Sequence, residues 1–193
     1  MTPKTVLTTG YSAGGIGSAL AEAFKKAWNT HTAKSMYEMN VWGMFRVTQA
    51  FAPLVIAAKG TIINISSISP CVHTPWMGVY TGSKAAVTAI TDTLRLELAP
   101  FGVKVVTVVT GAVNTNTLSN GEIAARARGE DGTPPMEPSV YAEKVVADIL
   151  QGANWQIWRG GYASIVRFTS NWFPASISDL MSARGTGLDV ITI

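Results

Sequence analysis

A chain of 193 residues with 47% hydrophobic and only 14% charged residues can hold one domain with a sizeable core and a sparsely charged surface. The net charge is +3, the longest basic run is Lys25-Lys26, and His31, His73 and Cys71 are the only histidines and cysteine. These counts exclude an internal disulfide, a metal-ligand cluster and a basic stripe for nucleic acid, and a single thiol makes a reducing compartment the expectation. The opening MTPKTVLTTG has too short an apolar run for a signal peptide. No run approaches the roughly 18 apolar residues of a membrane-spanning helix.

In chain order, Thr5 to Thr9 predicts a short buried strand, followed by a glycine-rich turn from Gly10 to Gly17 and a helix from about Ser18. A helical pattern runs from about Thr32 to Ala58, with an expected kink at Pro53 and an end at Gly60. Thr61 to Ser66 is an apolar strand, Tyr80 to Leu98 a helix ended by Pro100 and Gly102, and Val103 to Val109 a β-branched strand buried on both faces. Gly111 to Pro138 is a loop with one short helix near Glu122 to Arg128. Ser139 to Gln151 is a helix and Asn154 to Trp158 a last strand. An aromatic tail then carries Tyr162, Phe168, Trp172 and Phe173. Strands alternating with helices imply a parallel α/β sheet.

The glycine turn sits between a strand and a helix, the context of a dinucleotide fingerprint. Gly10 permits the tight turn, Gly15 and Gly17 permit close backbone approach, and the helix N-terminus offers amides to a pyrophosphate. The spacing is not G-x-G-x-x-G, so an ordinary βα turn stands beside that reading. Gly10 to Gly14 also spells G-x-S-x-G. A hydrolase elbow at Ser12 would need an acid and then a histidine downstream, and Glu38 with His73 is the only set on offer. It would also need an earlier strand and loop for its oxyanion hole, and that reading is set aside.

Ser67 stands thirteen residues before Tyr80, and Lys84 four residues after it. Tyr80 and Lys84 at i and i+4 share a helix face, and a nearby ammonium favours phenolate, which suits a phenol that exchanges protons with an alcohol or carbonyl. Taken alone, such a pair reads more readily as a surface contact. Ser67 adds weight because it closes a buried parallel strand, where open α/β sheets place ligands. Ser66 is the competing serine, since adjacent strand residues face opposite ways.

TGYSAGGIG, the NISS strand end, YTGSK and VTGAVNT together resemble the short-chain dehydrogenase/reductase family over residues 1–24 and about 32–160. The DTLRLELAPFGVKVVTVVTG run and the IWRGGYASIVRF tail are similar to its fungal NADPH-dependent acyldihydroxyacetone-phosphate reductase branch. The resemblance implies a Rossmann-like fold with Tyr80 as acid/base, Lys84 on the nicotinamide ribose, Ser67 orienting the substrate oxygen and Asn40 in a proton relay. It implies cofactor contacts at Gly10, Ser12, Gly15, Ile16, Gly17, Tyr80, Lys84, Val113 and Thr115, with no metal. Thr110 stands where many members carry proline, and the glycine turn has one residue more than the commonest spacing. The expected ligands are NADP(H) in preference to NAD and a ketone or acyl-lipid substrate. The expected setting is the cytoplasmic side, at the endoplasmic reticulum or lipid droplet surface, with peripheral membrane contact through the C-terminal aromatics. A homo-oligomer is compatible with this reading.

Only fifteen residues separate Phe24 from Asn40, where the family places three strands and two helices. One βαβ unit alone takes about 30 residues. The expectation is therefore a single domain over 1–193 that lacks the family's strands 2–4. It comprises a glycine-turn segment (1–24), a catalytic half (32–160) and the aromatic tail (161–193), with Lys25 to Thr32 as a junction. The residue that selects NAD or NADP is absent with those strands. Glu38 has the right distance from the glycines but is expected inside a helix, and is rejected for that role. In the family order 3-2-1-4-5-6-7, the first strand loses both neighbours. It is expected to dock on Thr61 to Ser66 or to leave its backbone unpaired, with cofactor binding and activity weakened or lost.

Overall fold

The structure, a computed structural model, describes residues 30–115 and 135–183. The expected strand Thr5–Thr9, the Gly10–Gly17 turn, the helix from Ser18 and the short helix near Glu122 to Arg128 lie outside those residues. What is described is a parallel α/β layer structure. Three strands, β1 (Thr61–Ile65), β2 (Lys104–Thr110) and β3 (Gln156–Arg159), pair in the order β1-β2-β3, all parallel. Ile63 faces Val106 across the first pair, and Val108 faces Ile157 across the second.

β2 is the centre because its sequence admits no other place. Lys104-Val-Val-Thr-Val-Val-Thr is β-branched at every position after the lysine, and Val105, Val106, Thr107, Val108 and Val109 are all buried. Such a strand needs cover on both faces and a partner on both edges. One face is covered by α3 (Gly78–Leu98), whose buried residues Ser83, Val87 and Thr91 recur every fourth position and so form one stripe. α3 runs into a short 3-10 turn, Ala99–Phe101, and ends at Gly102 with φ 77°, a left-handed cap that suits glycine. Pro100 lies within that turn, as a terminator should.

Before β1 runs one long helical segment: α1 (Thr30–Tyr37), a π-helical stretch (Glu38–Gly43) and α2 (Met44–Ala57). The expected kink at Pro53 is not where the helix changes type. α2 continues through Pro53, and the change falls around Asn40, where a π-bulge widens the turn. After β2 come α4 (Pro138–Leu150) and β3, both close to their expected limits. The segment read as a tail folds further than expected, into α5 (Ala163–Trp172) and α6 (Ala175–Ala183). α5 is amphipathic, burying Ala163 and Val166 and exposing Ile165, Phe168 and Trp172.

Two backbone pairings, each with one glycine, close the C-terminal end of the sheet. Gly111 donates its N–H to Arg159 at 2.8 Å, and Ala112 and Gly161 exchange hydrogen bonds at 2.9 and 2.8 Å. A Cβ on Gly111 would lie 2.0 Å from the Gly161 carbonyl oxygen, so only glycine lets the two chains cross here. Gly111→Ala should therefore cost about 2 kcal/mol or more, the range of overpacked core sites, whereas Gly78→Ala, with nothing within 4 Å, should change stability by under about 1 kcal/mol. Urea midpoints of the two variants check this; equal midpoints would refute the close crossing.

Candidate active site

The site residues gather at the C-terminal end of the strands. β1 ends at Ile65, and the next two residues are the two competing serines. Each is buried, and the structure separates them by their hydrogen bonds. Ser66 Oγ contacts the Lys84 carbonyl at 3.1 Å and Thr88 Oγ1 at 2.7 Å, so it fastens β1 to α3. Ser67 Oγ turns the other way and accepts the Ser69 N–H at 3.1 Å. A hydroxyl has one donor and two acceptor sites, so that contact leaves the Ser67 O–H available as a donor. No hydrogen bond joins Ser67 to Tyr80 among the described residues.

Tyr80 and Lys84 occupy the first two turns of α3, which begins at Gly78, two residues before the expected start. The Lys84 ammonium lies 6.0 Å from the Tyr80 ring centre and donates to the Ile65 carbonyl at 3.0 Å. That contact joins the Ser66 bonds in tying the helix to the strand end. Burial pulls the Lys84 ammonium below the usual lysine range, because desolvation penalises the charged form.

Asn40 sits in the π-helical stretch, and its side-chain N–H reaches Ser83 Oγ at 3.0 Å. Ser83, fully buried, donates in turn to the Tyr80 carbonyl at 2.7 Å. Asn40 is thus brought to the Tyr80–Lys84 turn through Ser83, a residue not singled out from sequence. Its signal was legible: a small hydroxyl on the buried stripe of α3, one position before Lys84.

The expected cofactor contacts Val113 and Thr115 lie just beyond β2. Val113 is buried and bridges in parallel to Met136, but the bonds run through its neighbours: Asn114 N–H to the Met136 carbonyl at 2.9 Å and Met136 N–H to the Ala112 carbonyl at 3.1 Å. Val113's own N–H and C=O are left out of that bridge, a donor and an acceptor side by side that match a carboxamide. Thr115 is exposed. On the nicotinamide side the residues present therefore fit the group; Gly10, Ser12, Gly15, Ile16 and Gly17 lie outside the described residues. Thr110, at the position where the family favours proline, pairs its hydroxyl with Tyr141 at 2.7 Å. Burial raises the Tyr141 phenol, and the Thr110 contact partly offsets this.

The loop between Ser67 and Tyr80 is held from above by the last two helices. His73 Nδ1 meets Asp179 of α6 at 2.7 Å, and Ser170 of α5 partly offsets the effect of burial on Cys71. Burial raises the Cys71 thiol, so it is not an activated nucleophile. Trp76, in the same loop, adopts φ 70°, a strained conformation for a bulky residue. No group of three metal-ligating side chains occurs among the described residues, and no described helix is long and apolar enough to cross a membrane.

Comparison with known proteins bears on the family and the fold. Residues 24–124 match the short chain dehydrogenase family. The short-chain dehydrogenase ptmH of Penicillium ochrochloron is 33% identical over 270 aligned positions, covering 97% of this chain and 100% of the relative. Other curated relatives are spanned over only 54% and 62% of their length. A solved short chain dehydrogenase from Burkholderia cenocepacia in complex with NADP is similar with a TM-score of 0.61 and 28% identity, over 75% of this chain and 58% of that one. One from Mycobacterium paratuberculosis bound to NAD gives a TM-score of 0.51 and 28% identity, over 63% of this chain and 52% of that one. Half the chain matched to the family, and a curated relative matched end to end, decide the assignment: this chain belongs to the short-chain dehydrogenase/reductase family.

Proposed function

We propose that this chain carries the catalytic half of an NADPH-dependent reductase acting on a ketone. The observation that supports it best is the division of labour between the two serines. Ser66 is used up in fastening β1 to α3, while Ser67 keeps an O–H donor at the strand end. The Ser67 hydroxyl would donate to the substrate oxygen, and the Tyr80 hydroxyl would deliver the proton that oxygen takes up. Lys84 would hold the ribose hydroxyls and place positive charge near the phenol, while Asn40, through Ser83, holds the turn on which both side chains stand. Val113 and Thr115 would hold the carboxamide. NADPH, when bound, supplies the hydride. A lipid-like ketone is the preferred substrate, because exposed apolar side chains of α5 and α6 stand beside the loop that leads to the site.

A second reading concerns this chain's competence. An alignment of 270 positions covers both partners nearly end to end, yet the chain has 193 residues, so an internal part of the relative has no counterpart here. This supports loss of strands 2–4 and, with them, weakened cofactor binding.

A third reading is peripheral membrane attachment, which would place the chain on the cytoplasmic face of the endoplasmic reticulum or a lipid droplet. Its support is the apolar surface of Ile165, Phe168, Trp172, Phe173 and Ile177, with Phe168 and Phe173 in edge contact at 6.0 Å.

Four measurements test these readings. In NADPH fluorescence titration the chain should fail to saturate in the micromolar range; saturation there with ketone turnover would refute the impaired reading. Any turnover found should fall at least about 100-fold in Tyr80→Phe with an unchanged urea midpoint, and undiminished turnover removes Tyr80 from the mechanism. For Lys84 the sign follows from burial. The folded state releases the proton before the unfolded one, so stability rises with pH from the folded pKa up to the ordinary value of 10.5. The unfolding free energy of the wild type minus that of Lys84→Met should therefore increase as pH is raised towards 10.5, and a flat difference would contradict the burial. Co-sedimentation with anionic liposomes should drop several-fold in a Trp172→Ser, Phe173→Ser double variant; equal co-sedimentation ends the membrane reading.

A further inference from the structure

The loop from Ile68 to Met77 joins Ser67 to Tyr80, and its own backbone does little to fix it. The N–H groups of Cys71, Val72, Thr74 and Met77 bond to carbonyls inside the loop, at 2.9, 3.3, 2.7 and 3.3 Å. Its first residue bonds outside it, Ile68 N–H to the Thr110 carbonyl at 3.0 Å. Trp76 holds φ 70°, a conformation that a bulky residue keeps only while surrounding contacts impose it.

His73 carries the contact that crosses from this loop to α6. It stands six residues after Ser67 and seven before Tyr80, the middle of the loop. Its Nδ1 lies 2.7 Å from Asp179 Oδ1, across 106 positions of sequence. Asp179 follows Ser178, which is buried, so that side of α6 faces the protein. α5 comes to the same loop at Ser170, which acts on the Cys71 thiol. Both members of the His73–Asp179 pair are more than half exposed, 57% and 52%. An exposed pair biases an opening equilibrium by a factor of about five or less, which suits a fastening that has to release.

We propose that α6 is a removable strap on this loop, with the His73–Asp179 contact as its clasp. Closed, the strap pins the loop at its middle and holds the strained backbone that leads into the Tyr80 turn. Released, loop and helix loosen together, because each loses the partner that crosses the gap. β2 and α3 are held by their own burial and stay as they are. Elements that move at a site are drawn from such weakly held parts of a fold. The clasp thereby couples the C-terminal helices to the segment between Ser67 and Tyr80. It is a contact between two side chains and stands whether or not the chain reduces a ketone.

Cys71, the only cysteine, lies half-buried in the loop and reports its opening. Alkylation of the full chain by the neutral reagent iodoacetamide should be about two- to fivefold faster in His73→Ser and in Asp179→Ser than in the wild type. The direction separates release from electrostatics. Loss of a positive charge near a thiol disfavours thiolate and loss of a negative charge favours it, so a purely electrostatic effect does not speed both variants. The double variant should match either single one, because both remove the same contact. Amide hydrogen exchange should follow, with Thr74, Met77 and the α6 amides faster by the same factor and Val106 and Val108 unchanged. Unchanged alkylation in the single variants, opposite changes in them, or additive effects in the double variant overturn the proposal. So does exchange that speeds on one side of the contact only. Faster exchange at Val106 and Val108 as well overturns it in favour of a general loss of stability.

Discussion

Burial of β2 on both faces is the constraint from which the rest of the structure follows. A run of valines and threonines with no exposed side cannot be satisfied at a sheet edge, so it takes β1 and β3 as neighbours and α3 as a lid. Burying this strand removes most of its apolar surface from water, at roughly 25 cal/mol per Å². Once β2 is central, the ends of β1 and β2 must lie side by side, and Ser67 and Thr110 come to one end of the sheet.

The polar contacts then determine orientation. Hydrophobic burial sets α3 on the sheet but not its rotation or its depth along the strand. Asn64 to Thr91 at 3.1 Å, Ser66 to Thr88 at 2.7 Å and Lys84 to Ile65 at 3.0 Å are spaced along β1 and fix both. The first two sit where an unpaired polar group would be costly, so they discriminate against a helix turned or slid by one residue. The Tyr80–Lys84 turn inherits its position from them. Asn40, reaching the same turn through Ser83, adds a second anchor from the other side, and the π-bulge around it explains how a residue of a long helix can do so.

Much of the fold was legible in the residues. β-branched runs identified β1 and β2, and the four-residue recurrence of small and apolar residues identified α3, within two residues at its start. The last two helices were not legible as such. α5 is an amphipathic helix of ten residues whose aromatics face outward, so its composition reads as a sticky tail until the packing of Ala163 and Val166 is seen. At Pro53 the helix keeps its α type, and the change of helix type falls in the π-bulge at Glu38–Gly43.

The family assignment and the chemical types at the site came from sequence alone, because a hydroxyl, a phenol and an ammonium at fixed spacing on a strand end and a helix need no coordinates to be recognised. Tertiary structure alone decided which serine is spent on packing and which is left for chemistry. It also decided that Ser83 stands between Asn40 and the Tyr80 turn, that Thr110 is matched by Tyr141, and that Gly111 is pinned by a carbonyl 2.0 Å from where a side chain would begin. The physical reason is the same each time. Adjacent residues such as Ser66 and Ser67 have identical chemistry and opposite directions, and direction is set by which neighbour's hydrogen-bonding groups lie across the gap, a distance in space rather than along the chain.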